Sequence, residues 1–275
     1  MITSNHSKTW QLIRFLRKTR ATAAMEATSI SGEGALFLVR WLLRLLRTAA
    51  LIGIWNQLGA QKLGSAGATA AQLGAYTVLS EALGDVLRMR TGMEFAFFNG
   101  SVALRFLRPF GILQQFAAEC LGRAALGGIC FGLPLIAGAA LCGVHLAPVS
   151  GSALIWFALS LPLAAATGLA LEYMLIGVGT AYGFHPYTVN NVREAAFGVL
   201  SGAFIPLALL PTTVAKVASL LPFASQAAAP LEIYTGLGDP RTLVALQLFW
   251  TTTLWIATAV VWRWNREKLV LYDGG

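Results

Sequence analysis

The sequence predicts an all-α integral membrane protein with six transmembrane helices, an N-terminal interfacial helix, and a re-entrant, broken segment after the fifth span. Three observations carry this. Of the 275 residues, 56% are hydrophobic and only 12% charged, about half the roughly 25% charge of soluble domains, and the mean hydropathy is +0.66. Apolar runs close to the roughly 20 residues a bilayer span requires recur along the chain. Basic residues fall in alternate connections, as the positive-inside rule requires of a chain that crosses back and forth. No large soluble catalytic domain fits beside several spans in this length.

Residues 1–34 are read as a cytoplasmic N-terminus. There Trp10, Ile13, Phe15 and Leu16 stand among Arg14, Arg17, Lys18 and Arg20, the pattern of a helix lying in the membrane interface. No continuous apolar run precedes a small-residue cleavage site, which argues against a cleavable signal peptide. The spans are read at 35–58, 68–87, 122–144, 152–182, 195–210 and 243–262, so the membrane domain covers 35–262 and residues 263–275 form a cytoplasmic tail. Lys8 and its basic neighbours precede span one; Arg88, Arg90, Arg105 and Arg108 separate spans two and three. Arg193 lies between spans four and five, and Arg263, Arg266 and Lys268 follow span six. The opposite connections hold Lys62, then His145, then Lys216 and Arg241. Both termini are therefore expected in the cytoplasm of a multi-pass protein of the cell (inner) membrane. The net charge of +8 is read as topology and attraction to anionic headgroups of the lipid bilayer, not nucleic acid.

The segment 203–236 is too apolar for a surface loop and too interrupted for one helix. Pro206, Pro211, Pro222 and Pro230 punctuate it, each removing a backbone donor and clashing with the preceding turn. Backbone groups freed at membrane depth cannot face lipid; they must be buried in protein or line a wet cavity. A chain that enters, breaks and turns back meets that condition.

Charges inside the spans are costly and therefore informative. Arg40, Arg44 and Arg47 share one face of span one, and Glu81 and Asp85 share one face of span two. Antiparallel neighbours joined by a short connection can pair them, which is one reading; a polar lining of an inward-facing vestibule is the other. Glu119 and Arg123 are spaced as a helical ion pair where span three begins. Glu172 stands alone in span four, as a transport residue or the partner of an arginine. Cys120, Cys130 and Cys142 match no metal-ligand spacing, and His145 and His185 are isolated, so no metal site is expected. No G-x-S-x-G nucleophile motif and no phosphate-binding G-x-x-x-x-G-K-[ST] loop occurs. The chain is accordingly not expected to be an enzyme or to bind ATP in the usual way.

The stretch from Asn99 through Gly100, Arg105 and Arg108 to Pro109 resembles the G-x-[IV]-A-x-x-L-[LIV]-R-P coupling segment of ABC-2 type exporter permeases. Ser101 stands where that family commonly has an acid. Leu200-Ser201-Gly202-Ala203-Phe204-Ile205-Pro206, then Leu210-Pro211 and Leu221-Pro222-Phe223, is similar to the family's pattern after span five, and the tail Leu271–Gly275 to the ends of its small six-span subgroup. The resemblance implies a transmembrane permease subunit acting with a second permease, identical or related, and with separate ABC ATPase subunits that hold ATP and magnesium. This chain would carry no cofactor. It implies a coupling segment at 95–107, where Asn99, Gly100, Arg105 and Arg108 meet the ATPase and Pro109 ends the helix. Gly202, Phe204, Pro206, Pro211, Pro222 and Phe223 would form an exit gate. The implied activity is outward movement of a small amphipathic or toxic substrate. The alternatives are a proton-coupled secondary transporter, with Glu172 or Glu81 titrating, and an intramembrane lipid-handling enzyme.

Overall fold

The computed structural model describes residues 34–57, 67–108 and 111–265. The predicted interfacial helix, Lys62, Pro109 and the tail motif lie outside the described residues. Regular structure among the described residues is helical. In order, these are α1 (Gly34–Gln57), α2 (Ala70–Ala82), α3 (Gly84–Arg88), α4 (Met93–Phe98) and α5 (Val102–Phe106). There follow α6 (Ile112–Gly127), a π-helical turn (Gly128–Gly132), α7 (Leu133–Leu141), α8 (Gly151–Ala181) and α9 (Pro186–Leu200). A 3₁₀ turn (Leu207–Leu209), α10 (Thr212–Ser219), α11 (Pro222–Gln226), α12 (Ala228–Thr235) and α13 (Pro240–Trp264) complete the fold.

Among the described residues, three helices are long and apolar enough to cross a membrane: Ile112–Leu141, Gly151–Ala181 and Pro240–Trp264. The 24 residues of α1 extend about 36 Å, more than a hydrocarbon core, but its arginines keep it out of that set.

The long helix α8 is apolar on every face, the composition of a helix enclosed by others. It packs against α13, α12, α9, α11 and α3. A polar ladder joins it to α13. Ser160 donates to Gln247 at 2.8 Å, the Thr167 and Thr251 hydroxyls meet at 2.7 Å, and Thr258 donates to the Ala170 carbonyl at 3.0 Å. Trp262 then donates to the Tyr173 carbonyl at 3.0 Å. Residue numbers rise together on both helices, so the two run parallel. In lipid such bonds and small-residue contacts replace the hydrophobic drive for helix association.

Three helix starts gather at one end of the bundle, each capped by its own preceding residue. Thr69 and Gln72 close a reciprocal capping box on α2, Ser150 accepts from the Ala153 amide on α8, and Asp239 accepts from the Thr242 amide on α13. Such caps satisfy amides that the helix itself leaves open. The Thr242 hydroxyl and amide together hold the exposed Asp239 carboxyl below its usual range. Gln72 donates to the Thr235 carbonyl and the Val149 amide to the Tyr234 carbonyl, which ties this end together. The opposite end carries α4, α5 and the turn from α8 into α9, where Phe98 stacks edgewise on His185 and Tyr187.

Several predicted boundaries are corrected. Span three begins at Ile112, ten residues before the predicted 122, and the polar Gln115 and Glu119 within this added stretch are buried against Arg105. Span two breaks at Leu83 into α2 and α3. The helix predicted at 195–210 is displaced: Pro186, which lacks only an amide that the first turn leaves unbonded, starts α9, and the helix ends at Leu200. The predicted single coupling helix at 95–107 is two helices, α4 and α5.

Candidate functional site

The α4–α5 hairpin is built around a turn at Asn99–Gly100. Gly100 has φ +69°, a conformation that costs a residue with a Cβ, and the Asn99 side-chain carbonyl accepts from the Ser101 amide at 3.0 Å. Met93, Phe97 and Val102 are inserted in a core shared with Phe116, Leu169 and Tyr173. The other face is bare: Phe95, Leu104, Phe106 and Leu107 are exposed, Leu104 by 65% and Leu107 by 80%. Arg108 is exposed beside them. Arg105, expected to point at a partner, turns inward instead. It donates to Glu119 at 2.6 Å and its guanidinium lies 4.1 Å over the Phe116 ring. The apolar body and ion pair of Arg105 thus fasten α5 to α6.

The linker between α3 and α4 is held from three sides. Arg123 of α6 donates to the carbonyls of Arg90 and Thr91 at 3.0 and 2.9 Å. Glu172 of α8 accepts from the Thr91 amide at 2.9 Å and, at short range, from the Thr91 hydroxyl. Arg193 of α9 reaches the Arg88 carbonyl at 3.4 Å, Glu194 at 2.7 Å and Glu172 at 3.8 Å. Glu172 is 0% and Arg193 2% exposed. Met89 sits fully buried in this linker at φ +33°, a backbone strain that persists only where the surroundings over-determine it. Thr91 and Arg193 were not legible as a site, because they stand on separate elements about a hundred positions apart; only the lone Glu172 signalled that a partner was required.

Between α1, α2, α3 and α6 lies a cavity of about 660 Å³. Arg44 binds Asp85 through two bonds of 3.1 and 2.7 Å, and Arg47 binds Glu81 at 2.9 Å. The Arg44 guanidinium also lies over Phe131 at 4.6 Å, and that of Arg47 over Phe204 at 4.2 Å. Arg40, Arg88, Arg90 and Arg123 complete the charged wall. Gly127 faces Asp85 and Gly132 faces the Ala82 carbonyl so closely that a Cβ at either would overlap it. The small residues of this stretch are used for packing within the chain.

The broken segment solves its backbone problem with side chains from other helices. Gly202 ends α9 at φ +74°. Tyr76 donates to its carbonyl at 2.9 Å and Ser80 to the Ala203 carbonyl at 2.6 Å. Farther along, Trp250 donates to the Leu220 carbonyl at 2.9 Å, and Gln247 to that of Ser225 at 2.8 Å. Gln226 donates outward, to the Leu87 carbonyl at 2.8 Å. Phe204 is brought to the cavity wall, and Phe223 packs against the core around Tyr76 and Phe197. Pro206 precedes the 3₁₀ turn, Pro211 stands immediately before α10, and Pro222 opens α11.

The family model for the ABC-2 family transporter protein matches residues 91–270, from the held linker through the hairpin and the broken segment to the end of α13. This is well over half of the chain. The chain belongs to the ABC-2 transporter family. It is a transmembrane permease, and no enzyme family is indicated for it. Comparison with the curated proteins and with the solved structures gives no match. In this permease Glu81 and Asp85 are each bound by an arginine, which removes them as a free acid/base pair. Among the described residues no cluster of His, Cys, Asp and Glu could hold a metal.

Proposed function

We propose that this permease is the membrane subunit of an ATP-driven exporter, with the α4–α5 hairpin docking on a separate ATPase. The observation that carries the reading is the hairpin itself: one face anchored in the core and the other an exposed apolar ridge of Phe95, Leu104, Phe106 and Leu107 ending at the cation Arg108. Exposed apolar patches of this kind mark protein contacts. ATP and magnesium belong to the partner, and a second permease completes the path. The hairpin end faces the cytoplasm, with both termini, and the capped end faces outward. Docking forces on the hairpin pass through Thr91 to Glu172 and Arg193, and so to α8 and α9. ATP acts by favouring one of two states that differ in affinity for the cargo. The segment 203–236 closes the outer exit.

The test is co-expression with the ABC ATPase that co-purifies with the native permease. Arg108→Glu with Leu104→Glu is expected to leave the protein in the membrane while abolishing cargo-stimulated ATP hydrolysis and transport. Unchanged stimulation in the double variant would remove the hairpin from coupling. Transport that follows a pH gradient without ATP would instead support a proton-driven carrier.

A further inference from the structure

We propose that Arg193 switches between two carboxylates, Glu194 and Glu172, and that this switch carries the position of the hairpin to the broken segment. The switch itself is independent of the exporter reading; what drives it rests on that reading. In the state seen here Arg193 bonds Glu194 through Nη2 at 2.7 Å, and the same nitrogen stands 3.8 Å from Oε2 of Glu172. Oε2 of Glu172 and Nε of Arg193 are both buried, and among the described residues no hydrogen bond reaches either. Unused bonding capacity on buried charged groups is costly. Each of these atoms is what the other lacks, and closure by about 1 Å would bring the pair to the length of a charge-assisted bond. Nε and Nη2 of one guanidinium form a fork that takes both oxygens of a carboxylate. Closed in that way, Arg193 would claim Oε1 of Glu172 as well, the atom that now holds the amide and hydroxyl of Thr91.

The carboxylate that Arg193 gives up has a second place to go. Glu194 lies 3.5 Å from Arg90 and 3.9 Å from Arg88, loose distances that can shorten once Arg193 departs. Both arrangements keep every carboxylate beside an arginine, the near balance that a two-state element requires. They differ in what they hold. Release of Thr91 frees the linker two residues after Met89, whose buried backbone stands at φ +33°, so strain stored there can relax. Arg88 has its guanidinium 4.9 Å from the Phe204 ring and 5.5 Å from that of Phe197. Drawing Arg88 to Glu194 therefore moves the cation that rests on Phe204, at the start of the broken segment. One change of partner thus links the foot of the hairpin to the proposed outer closure.

Hydrogen exchange of the Thr91 amide, read by mass spectrometry on the permease in phosphatidylcholine nanodiscs, tests the switch, because Glu172 protects that amide only in the state seen here. Glu194→Gln removes the carboxylate that retains Arg193 and is expected to speed the exchange about tenfold. Arg90→Gln removes a cation that draws Glu194 away and is expected to slow it about threefold. A merely weakened structure exchanges faster, never slower, so the opposite signs separate the two explanations. Amides of α13 are expected to be unchanged in both variants. Faster exchange in both variants, or no change in either, overturns the switch; the second result means that a bridging water fixes the pair. In the complex with its ATPase, the unaltered permease is expected to show about a tenfold difference at Thr91 between the nucleotide-free and ATP-bound states. Glu194→Gln should abolish that difference. Opposite signs in the permease alone, with no effect of nucleotide in the complex, keep the switch and overturn ATP as its driver. If no ATPase joins the permease, the exporter reading falls, and the signs in the permease alone still decide the switch.

Discussion

At the scale of single residues, the buried Glu172–Arg193 pair and the pairs between α1 and α2 differ in their surroundings. Both side chains of Glu172 and Arg193 are about 1% exposed; Arg193 also has Glu194 at 2.7 Å, so it is removal of Arg193 that strands a charge, the buried Glu172. Arg193→Leu is expected to lower stability by about 3–5 kcal/mol, read as a drop in melting temperature in detergent, and Glu172→Gln added to it should recover part. The Arg44 and Asp85 side chains are 26% and 32% exposed, so solvent screens them and Asp85→Ala should cost clearly less. Adding Arg44→Leu should restore the single variant. If Asp85→Ala and Glu81→Ala keep full stability but change which substrates are moved, these pairs line the path and do not serve to join the helices.

At the scale of elements, the break in each segment is set by one backbone conformation and by the donors around it. Gly100 has open space where a Cβ would stand, so only its φ of +69° resists substitution. Gly100→Asn should therefore be tolerated and Gly100→Val should misdirect the hairpin, since β-branched residues are least able to adopt that region. Measured coupling between ATP hydrolysis and transport separates the two; equal behaviour would mean that the turn conformation is not needed. At Gly202 the constraint is double, since a Cβ would lie 3.0 Å from Leu207 and from Ala228. Tyr76→Phe removes only the bond to the Gly202 carbonyl and should cost about 1–3 kcal/mol, the range for a buried acceptor left unsatisfied. A melting temperature equal to that of the unaltered protein would show that water replaces the hydroxyl.

At the scale of the whole molecule, the reading of topology makes the two ends of the bundle face opposite sides. Single cysteines placed at Asp239 and at Arg108, both exposed, test it after the native Cys120, Cys130 and Cys142 are replaced by alanine. A membrane-impermeant maleimide applied to intact cells should label position 239 and not position 108. Labelling of position 108 alone would invert the protein.

The sequence by itself determined the class of the protein, the helices α8 and α13 to within three residues of their ends, and the break after α9. These are properties of local composition: continuous apolar runs, helix-starting prolines, and prolines that a helix cannot contain. It also marked Arg44, Arg47, Glu81, Asp85 and Glu172 as charges needing partners, because cost at membrane depth depends on residue type alone. Only the tertiary structure decided which groups meet. Arg105 turns to Glu119, Glu172 is shared by Thr91 and Arg193, and Tyr76 and Ser80 reach carbonyls more than 120 positions away. Partners supplied by another helix leave no periodicity in their own stretch of chain. The cavity is partly of the same origin, since Arg88 and Arg90, read as topology signals, join Arg40, Arg44 and Arg47, read as one charged face of span one, when α1, α2, α3 and α6 are brought together.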